Sequence, residues 1–360
     1  MRVYLVAGIH PTIPAASGIR SYVLGLATAL AGRGHDVTLV GAGPPADVPF
    51  GRFQPVTDRT PLSAYEFLRA LVRWTRDHPL EEGSVVSAHR PDDLYPFLRR
   101  SRGVRWICTL HGDPGRGVAS RRPLGKHLYR FVERRALRSA HRIISVSETG
   151  LAAYSRRYPE IVGKSCVIPV GIDLDHFRPQ DRALARRSLD VAEGPTLLYA
   201  GRLEPEKNVD VLLEAVAGLR SPPQVLLAGQ GSLEPRLRAQ ASGLPVRFLG
   251  RVPHADMPAL LSCADGLVLA SAFEGLPTSA LEALACGTPV ICTRAGDLPI
   301  LVGDGRTGLF FDGTSEGLRA ILADKLENLG AMRSACVEAA SRFGWTPIAE
   351  RILEVYSAAA

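Results

Sequence analysis

Short apolar runs alternate with longer amphipathic segments along this 360-residue chain. The runs are bounded by turn residues, which is typical of buried parallel strands, and the segments between them have apolar residues at helical spacing. This alternation predicts a parallel sheet with helices on both faces. In the first half, the predicted strands are residues 3–7, 36–40, 85–87, 105–110, 142–146 and 166–169, and the first helix is 19–31.

The same rhythm repeats in the second half, so we predict two α/β domains, each with a doubly wound parallel sheet. A chain of this length is sufficient for two domains of ordinary size. The turn-rich segment 171–179 separates the halves, and we therefore place the domains at 1–178 and 179–346. The second-half strands are predicted at 196–200, 224–228, 246–249, 266–270, 290–292 and 308–311, with helices at 209–219 and 233–241.

Residues 266–291 predict a strand, a loop, a helix and another strand in succession. Glu274 lies in the loop and Glu282 about one turn into the helix, which begins near Thr278 with Thr278 and Ser279 as candidate caps. A helix rises about 1.5 Å per residue, so both carboxylates can face the carboxyl edge of the sheet. Either carboxylate alone is also explained as a solvated side chain.

The start of this helix is a candidate anion site. The backbone amides of Gly275, Leu276, Thr278 and Ser279 lie where the helix dipole favours negative charge. An anion site beside two carboxylates, which accept hydrogen bonds from hydroxyls, suits a phosphorylated sugar or a nucleotide.

A second candidate group follows the predicted strand 196–200. Arg202 comes directly after this strand, and Lys207 lies just ahead of the next helix. Both side chains could reach the edge that holds Glu274, where they would neutralise a pyrophosphate as its charge develops. Taken alone, they are equally explained as two surface cations.

Several function classes lack their sequence signals. No GxGxxG follows the first strand, and GxxxxGK[ST] and a Ser/His/Asp triad are absent. The six cysteines include no CxxC pair, which favours reduced core residues over disulfides or a zinc site. Residues 1–8 predict a strand rather than a secretory signal, and no apolar run is long enough to span a bilayer, so we expect a cytoplasmic protein.

The positive charge is concentrated in the first half. Residues 1–180 carry 26 Lys and Arg against 15 Asp and Glu, whereas the rest of the chain carries 17 against 21. Much of the excess lies in residues 99–105 and 116–142. Three explanations of this basic region stay open: a solvated helix face, peripheral contact with an anionic membrane, and binding of an acidic acceptor. Nucleic acid is not expected, because the region lacks interleaved stacking aromatics.

The motifs of the second half resemble the donor-site signature of the family-four retaining glycosyltransferases. The resemblance rests on Glu274-Gly-Leu-Pro, the spacing to Glu282-Ala-Leu-Ala-Cys-Gly-Thr-Pro-Val, and Gly201-Arg-Leu with Lys207 after it. It implies the GT-B fold, in which two Rossmann-like domains face each other across a cleft. The first would bind the acceptor and the second the nucleotide-sugar donor, and a final helix, 347–358, would pack back on the first domain.

The resemblance also implies roles for individual residues. Arg202 and Lys207 would hold the diphosphate without a divalent metal or a cofactor, Glu274 would position the sugar, and Glu282 would bind the ribose hydroxyls. The resemblance implies that Gly229 and Gly231 line the nucleotide pocket and that the backbone at Val252 borders the base. It also implies that the Gly18 amide contacts the donor phosphate and that His111 positions the sugar. The family often has two glycines where this chain has Ser17-Gly18. Outside the resemblance, Gly229-Gln-Gly231 is also explained as a tight turn and His111 as a strand-end histidine.

The implied activity is sugar transfer from a nucleoside-diphosphate sugar to an acceptor hydroxyl, with retention at the anomeric carbon. UDP is expected ahead of GDP on family frequency alone. A glycan, a lipid-linked molecule and a secondary metabolite stay open as acceptors. Two alternatives share the architecture, a nucleotide-sugar epimerase and an inactive nucleotide-sugar-binding protein.

Overall fold

The computed structural model describes residues 1–13, 18–60, 62–99, 103–112 and 123–359. They divide into two compact units, one formed by Met1–Gly171 with Trp345–Ala360 and the other by Ile172–Gly344. The first unit therefore ends at Gly171, whereas the sequence analysis places the boundary at residue 178. The chain returns to the first unit at Trp345.

The described part of the first unit contains a seven-stranded, fully parallel sheet. The strands lie in the order β3-β2-β1-β4-β5-β6-β7, which contains the 3-2-1-4-5-6 order of doubly wound folds. They are β1 (Arg2–Val6), β2 (Asp36–Gly41), β3 (Arg52–Pro55), β4 (Val85–Ala88), β5 (Arg105–Leu110), β6 (Arg142–Ser145) and β7 (Ser165–Val167).

The α-helices of the first unit include one contributed by the C-terminal end of the chain. They are α1 (Gly18–Ala31), α2 (Ala64–Asp77), α3 (Pro91–Leu94), α4 (Pro123–Ser139), α5 (Glu148–Arg157) and α14 (Trp345–Ser357), and short 3-10 helices span Tyr95–Arg99 and Pro159–Lys164. Helix α14 is held by Trp345, whose ring fills the space beside Gly25 and Gly171, two glycines at which any side chain would collide with it.

The second unit repeats the order of the first. Its described sheet has six parallel strands ordered β10-β9-β8-β11-β12-β13, which is again 3-2-1-4-5-6. The strands are β8 (Thr196–Ala200), β9 (Gln224–Ala228), β10 (Val246–Gly250), β11 (Gly266–Leu269), β12 (Val290–Cys292) and β13 (Gly308–Phe310).

Helices cover both faces of this second sheet, as its apolar strands require. They are α6 (Arg182–Ser188), α7 (Val209–Ala217), α8 (Glu234–Gln240), α9 (Met257–Cys263), α10 (Thr278–Ala285), α11 (Leu298–Leu301), α12 (Ser315–Lys325) and α13 (Arg333–Ser341), with 3-10 helices at Pro205–Lys207, His254–Asp256 and Leu326–Met332. Every residue of β8 and of β11 is buried.

The predicted parallel sheets are confirmed, whereas two elements within residues 44–84 were not predicted. Strand β3 was not predicted, because Arg52-Phe-Gln-Pro55 shows no apolar run and lies at the sheet edge. Helix α2 was not predicted either, although Ser63 and Glu66 form a capping box at its start. That signal is visible in the sequence, because Glu66 follows Ser63 by three residues.

In both units the order of the strands reverses beside the first strand. The switch point lies between β1 and β4 in the first unit and between β8 and β11 in the second. In open α/β sheets, ligands bind at this point, outside the carboxyl ends of the strands. The loops that follow β1, β4, β8 and β11 are therefore the places to look for chemistry.

Candidate functional site

The loops after β8 and β11 are joined by hydrogen bonds at the switch point of the second unit. The amide of Ala272 donates to the carbonyl of Glu206 at 3.1 Å, and Asn208 Nδ2 donates to the carbonyl of Ala270 at 3.2 Å. These bonds hold the two loops side by side, so that the residues predicted as a basic group and an acidic group become neighbours.

Lys207 and Glu274 form a buried ion pair between these loops. Lys207 Nζ donates to Glu274 Oε1 at 2.6 Å, and their side chains are only 18% and 9% exposed. Ser271 Oγ donates to the same Oε1 at 2.6 Å. The sequence analysis missed Ser271, although its position at the end of the predicted strand 266–270 was a signal. The carboxylate is thus fixed by two donors before any ligand arrives.

Arg202 lies on the same loop as Lys207 but faces solvent. Its side chain is 67% exposed and donates from Nη2 to Glu206 Oε1 at 2.8 Å. Its carbonyl accepts a 2.6 Å bond from the buried Tyr199 hydroxyl, which fixes the backbone. The structure therefore brings Lys207 to Glu274, whereas the Arg202 guanidinium is paired with Glu206.

The Gly229-Gln-Gly231 segment packs directly on the loop that holds Arg202. A Cβ on Gly229 would lie 1.7 Å from the carbonyl oxygen of Gly201, and one on Gly231 would lie 2.2 Å from that of Leu203. Gly229 also has a positive φ of 147°. Only glycine allows the backbones to approach this closely. Val252, in the loop that follows β10, is half-buried against the core of the unit.

Helix α10 begins at Thr278 with Pro277 as its N-cap and without a side-chain cap. The expectation that Thr278 and Ser279 cap this helix is therefore wrong, because both lie inside its first turn. Among the described residues, no hydrogen-bond acceptor is assigned to the amides of these two residues or of Gly275 and Leu276. Four amides at a helix N-terminus without a protein partner can serve an anion.

Gly296 packs closely against the loop that precedes α10. Its φ is +58°, and a Cβ there would lie 1.9 Å from the carbonyl oxygen of Glu274. The amide of Asp297 donates to the carbonyl of Gly275 at 3.1 Å. These contacts fix the position of the loop relative to α10.

Glu282 is half-buried in the second turn of α10. Burial raises the pKa of its carboxyl to about 7. No hydrogen-bond partner is assigned to it among the described residues. A carboxyl that is desolvated but unpaired is typical of a group that meets its partner in a ligand.

His111 and Gly18, the predicted groups of the first unit, lie in different settings. His111 Nε2 is 3.0 Å from His89 Nδ1, and the His111 ring packs edge-on against Tyr22 with centroids 4.7 Å apart. Burial lowers the pKa of His111 to about 3, so the ring is neutral. Gly18 is exposed at the start of α1, and a Cβ there would meet no described atom within 4 Å. Ser17 lies outside the described residues.

The basic segments are described only in part, since residues 100–102 and 113–122 are outside the described ranges. Within α4, Arg130, Arg134, Arg135 and Arg138 are exposed. The described helices include none that is long and apolar enough to cross a membrane. The described residues also contain no group of three or more His, Cys, Asp or Glu that could hold a metal ion.

Two family models match this chain, one on each half. The model of glycosyl transferases group 1 matches residues 181–343, and the model of glycosyltransferase family 4 matches residues 16–176. The first match contains the whole of the site built by β8, β11 and α10.

Three curated relatives of this chain are named as D-inositol 3-phosphate glycosyltransferases. A D-inositol 3-phosphate glycosyltransferase from Catenulispora acidiphila is 35% identical over 61% of this chain and 56% of its own length, and one from Geodermatophilus obscurus is 37% identical over 55% of the chain and 48% of its own length. The matches therefore span about half of these two relatives. A third, from Actinosynnema mirum, is 29% identical over 96% of this chain and 93% of its own length.

Solved structures share the fold over the whole chain. A sucrose-phosphate synthase from Thermosynechococcus elongatus has a TM-score of 0.80 at 24% identity and covers 99% of this chain and 98% of its own. The Anabaena protein HepE, solved with UDP, has a TM-score of 0.77 at 21% identity with 99% of both chains covered. At these identities the likeness shows the fold alone.

Proposed function

The chain belongs to the glycosyltransferases that these two models describe, and we propose that it moves a sugar from a nucleoside-diphosphate sugar to an acceptor hydroxyl with retention at the anomeric carbon. The observation that carries the proposal is the buried Lys207–Glu274 pair beside the uncapped start of α10. It sets a cation, a fixed carboxylate and available amides at one switch point, which suits a sugar diphosphate.

In the proposed reaction, the diphosphate is stabilised as its bond to the sugar loosens. Lys207 and the amides of Gly275, Leu276, Thr278 and Ser279 face the phosphates, and the Arg202 guanidinium exchanges Glu206 for a phosphate oxygen. Fixed donors aimed at developing charge are worth more than mobile ones because they need no reorganisation. The departing phosphate oxygen takes the proton of the acceptor hydroxyl, so no covalent intermediate is required.

The carboxylates bind hydroxyls of the donor. Glu274, already held by Lys207 and Ser271, orients the sugar, and Glu282 accepts hydrogen bonds from the ribose. The glycines at 229 and 231, with the backbone at Val252, form the nucleotide pocket. His111, which is neutral, positions the sugar, and the Gly18 amide meets a phosphate.

We infer UDP as the donor nucleotide, ahead of GDP. Support comes from Anabaena HepE, which was solved with UDP and with UDP-glucose. The proposed transfer is hexosyl and independent of a divalent metal, because Lys207 and Arg202 supply the positive charge. The relatives that are named for D-inositol 3-phosphate support a hydroxyl-rich acceptor. The acceptor classes to compare are a glycan, a lipid-linked molecule and a secondary metabolite.

We also propose peripheral contact with an anionic membrane through α4. Leu128 and Phe131 are 64% and 62% exposed on this helix and lie among its exposed arginines. Apolar side chains surrounded by arginine suit the boundary between acyl chains and anionic headgroups.

The test is incubation with UDP-glucose, UDP-galactose, UDP-N-acetylglucosamine and GDP-mannose, with and without mixed acceptors and with EDTA. Release of UDP that depends on an acceptor, with a product of the donor's anomeric configuration by NMR, is the expected result. An isomerised donor would support an epimerase, and binding without turnover would support an inactive binding protein. Transfer with inversion would overturn the stereochemical part, and loss of transfer on adding EDTA would overturn metal independence.

A further inference from the structure

Two histidines of the first unit follow neighbouring strands. His89 comes directly after β4 and His111 directly after β5, and these strands pair in parallel with Ala88 opposite Cys108. Because parallel strands bring the residues that follow them to one edge of the sheet, the two side chains meet although 22 positions separate them. His89 Nδ1 lies 3.0 Å from His111 Nε2, which is a hydrogen-bond distance.

Packing fixes the orientation of both rings. Tyr22 of α1 lies edge-on to each of them, with its ring centroid 5.5 Å from that of His89 and 4.7 Å from that of His111. Tyr22 and His89 are both buried, and the amide of His89 donates to the carbonyl of Val6 at 3.0 Å. The His89 ring is therefore held by its backbone and by its neighbours, and it has almost no contact with solvent.

Neither ring carries a charge. Burial and the nearby His111 lower the pKa of His89, and burial lowers the pKa of His111 to about 3. A neutral imidazole has one N–H and one bare nitrogen. The contact between His89 Nδ1 and His111 Nε2 is therefore a hydrogen bond in which one nitrogen donates and the other accepts.

The second nitrogen of His89 distinguishes the two directions of this bond. His89 Nε2 is buried and has no hydrogen-bond partner within the described ranges. If His111 Nε2 were the donor, the proton of His89 would lie on Nε2, as a buried N–H without an acceptor. Buried N–H groups are left without a partner more rarely than buried acceptors. The opposite direction, from His89 Nδ1 to His111 Nε2, leaves only a bare nitrogen at this place.

This direction leaves His111 with its own proton on Nδ1. His111 is half-buried, and no partner is assigned to its Nδ1 in the described part of the chain, so this N–H remains for a ligand. We propose that His89 is a positioning residue, which fixes the His111 ring and keeps its proton on Nδ1, so that His111 meets the transferred sugar as a hydrogen-bond donor. The proposal rests on the proposed function, which assigns His111 to the sugar. The hydrogen bond that one ring nitrogen makes sets which nitrogen is protonated.

The protonated nitrogen of each ring can be measured in proton–nitrogen correlation spectra of the full-length chain. The chain has nine histidines, and the signals of His89 and His111 are identified by their loss in His89→Leu and His111→Leu. We expect both rings to be neutral between about pH 6 and 8, each with its proton on Nδ1. A His111 ring with its proton on Nε2, or a charged ring, would overturn the proposal whether or not transfer is observed.

Two substitutions of similar size separate this hydrogen bond from packing. The amide in His89→Asn can still donate to His111 Nε2, whereas the side chain in His89→Leu cannot. His89→Leu should lower kcat/KM for the active nucleotide sugar about tenfold, which corresponds to about one hydrogen bond, and should give His111 signals of both tautomers. His89→Asn should keep His111 protonated on Nδ1 and retain most of the transfer. An equal loss of transfer in the two variants, at equal melting temperatures, would overturn the donor role of His89.

A double-mutant cycle tests whether His89 acts through His111. In a His111→Leu background, His89→Leu should have no further effect on kcat/KM, because the ring that it positions is gone. The same loss in both backgrounds would make His89 a structural residue and overturn the proposal. Absence of transfer in every assay, with both rings protonated on Nδ1, would confirm the tautomer assignment and contradict the proposed function instead.

Discussion

Lys207 Nζ lies 2.6 Å from Glu274 Oε1 although the two residues are 67 positions apart in the sequence. They meet because β8 and β11 pair in parallel, with Leu197 opposite Gly266 and Leu198 opposite Leu267, so that the loops after both strands emerge at one edge. The pair is buried, and the removal of one partner therefore leaves the other charge without compensation.

Lys207→Ala should destabilise the second unit by about 3 kcal/mol, since breaking a buried ion pair leaves an isolated carboxylate. The double variant Lys207→Ala/Glu274→Gln should recover more than about 1 kcal/mol of this loss, because it no longer contains the isolated carboxylate. Neither the single nor the double variant should transfer sugar. Hydrogen exchange of the β11 amides is the suitable measurement, since all three tryptophans belong to the first unit. A Lys207→Ala protein as stable as the wild type would contradict the pair's structural role.

Arg202→Ala should lower the transfer activity without lowering the stability of the second unit. Its guanidinium is mostly exposed, and exposed ion pairs contribute about 0–1 kcal/mol, so the melting temperature should hardly change. Transfer should nevertheless fall about 100-fold or more, as when one preorganised donor is removed from a transition state. Arg220→Ala, at an exposed position in the same unit, is the matched control and should keep full activity. Equal kcat/KM for Arg202→Ala and wild type would exclude the guanidinium from the reaction.

The raised pKa of Glu282 predicts a pH-dependent stability. The folded state holds this proton up to about pH 7, whereas an unperturbed Glu releases it near 4.5. The folded state therefore binds more protons than the unfolded state in this window, and stability falls as the pH rises through it, by up to about 3 kcal/mol. Glu282→Gln should match the wild type near pH 5 and be the more stable protein at pH 8, by hydrogen exchange of α10.

The same group should couple pH to donor binding. If the ribose hydroxyls donate to Glu282, the ionised carboxylate is the better acceptor, and UDP affinity of the wild type should rise between pH 6 and 8. Glu282→Gln should bind UDP more weakly and lack this rise in calorimetric titrations. A parallel pH profile in both proteins would assign the effect to another group, such as the UDP phosphate itself.

Much of the fold could be predicted from the sequence because its signals are local. The apolar runs of β8 and β11 are buried along their whole length, so the pattern alone identifies them. Glu274 and Lys207 were predicted to share an edge because parallel strands place their following loops together. Strand β3 was missed because an edge strand has no need of an apolar run, and Arg52 in it is exposed.

Other parts of the site depend on which side chains pair, and a sequence does not carry that information. Arg202 and Lys207 look equivalent as a basic pair, yet one faces solvent beside Glu206 and the other is buried. Asp93 follows Asp92, and only the structure shows that the Arg90 guanidinium donates its hydrogen bonds to Asp92. The contact between His89 and His111 is likewise visible only in the structure.

Membrane contact through α4 predicts sedimentation with vesicles of anionic phosphatidylglycerol but not with neutral phosphatidylcholine. The contact should weaken as salt is raised, since arginine–headgroup attraction is screened within about a Debye length. Phe131→Ser should lower binding about tenfold, because burial of a phenylalanine side chain contributes about 1.5–3 kcal/mol. Leu184→Ser, on an exposed leucine of the second unit, is the control and should bind as the wild type does. Equal sedimentation with both lipids would exclude this contact.

Gly229→Ala tests whether the loop after β9 is part of the donor pocket or only a turn. Its Cβ would fall 1.7 Å from the carbonyl oxygen of Gly201, so one of the two backbones must move. Because Gly201 directly precedes Arg202 and Leu203 bonds back to Gln230 at 3.0 Å, the movement would displace both loops. UDP affinity should fall at least about tenfold, which is the loss of about one charge-assisted hydrogen bond.

Gly243→Ala separates this collision from the cost of a positive φ. Gly243 has a φ of +78° in the same unit, but a Cβ there would meet no described atom within 4 Å. It should cost about 1–2 kcal/mol of stability, the penalty of a left-handed residue, and leave UDP affinity unchanged. If both variants lowered the melting temperature equally and neither altered UDP affinity, the Gly229 loop would be a turn without contact to the nucleotide. Weaker UDP binding in Gly229→Ala alone would tie the close approach of the two loops to donor recognition, because Gly243 has a positive φ without the collision.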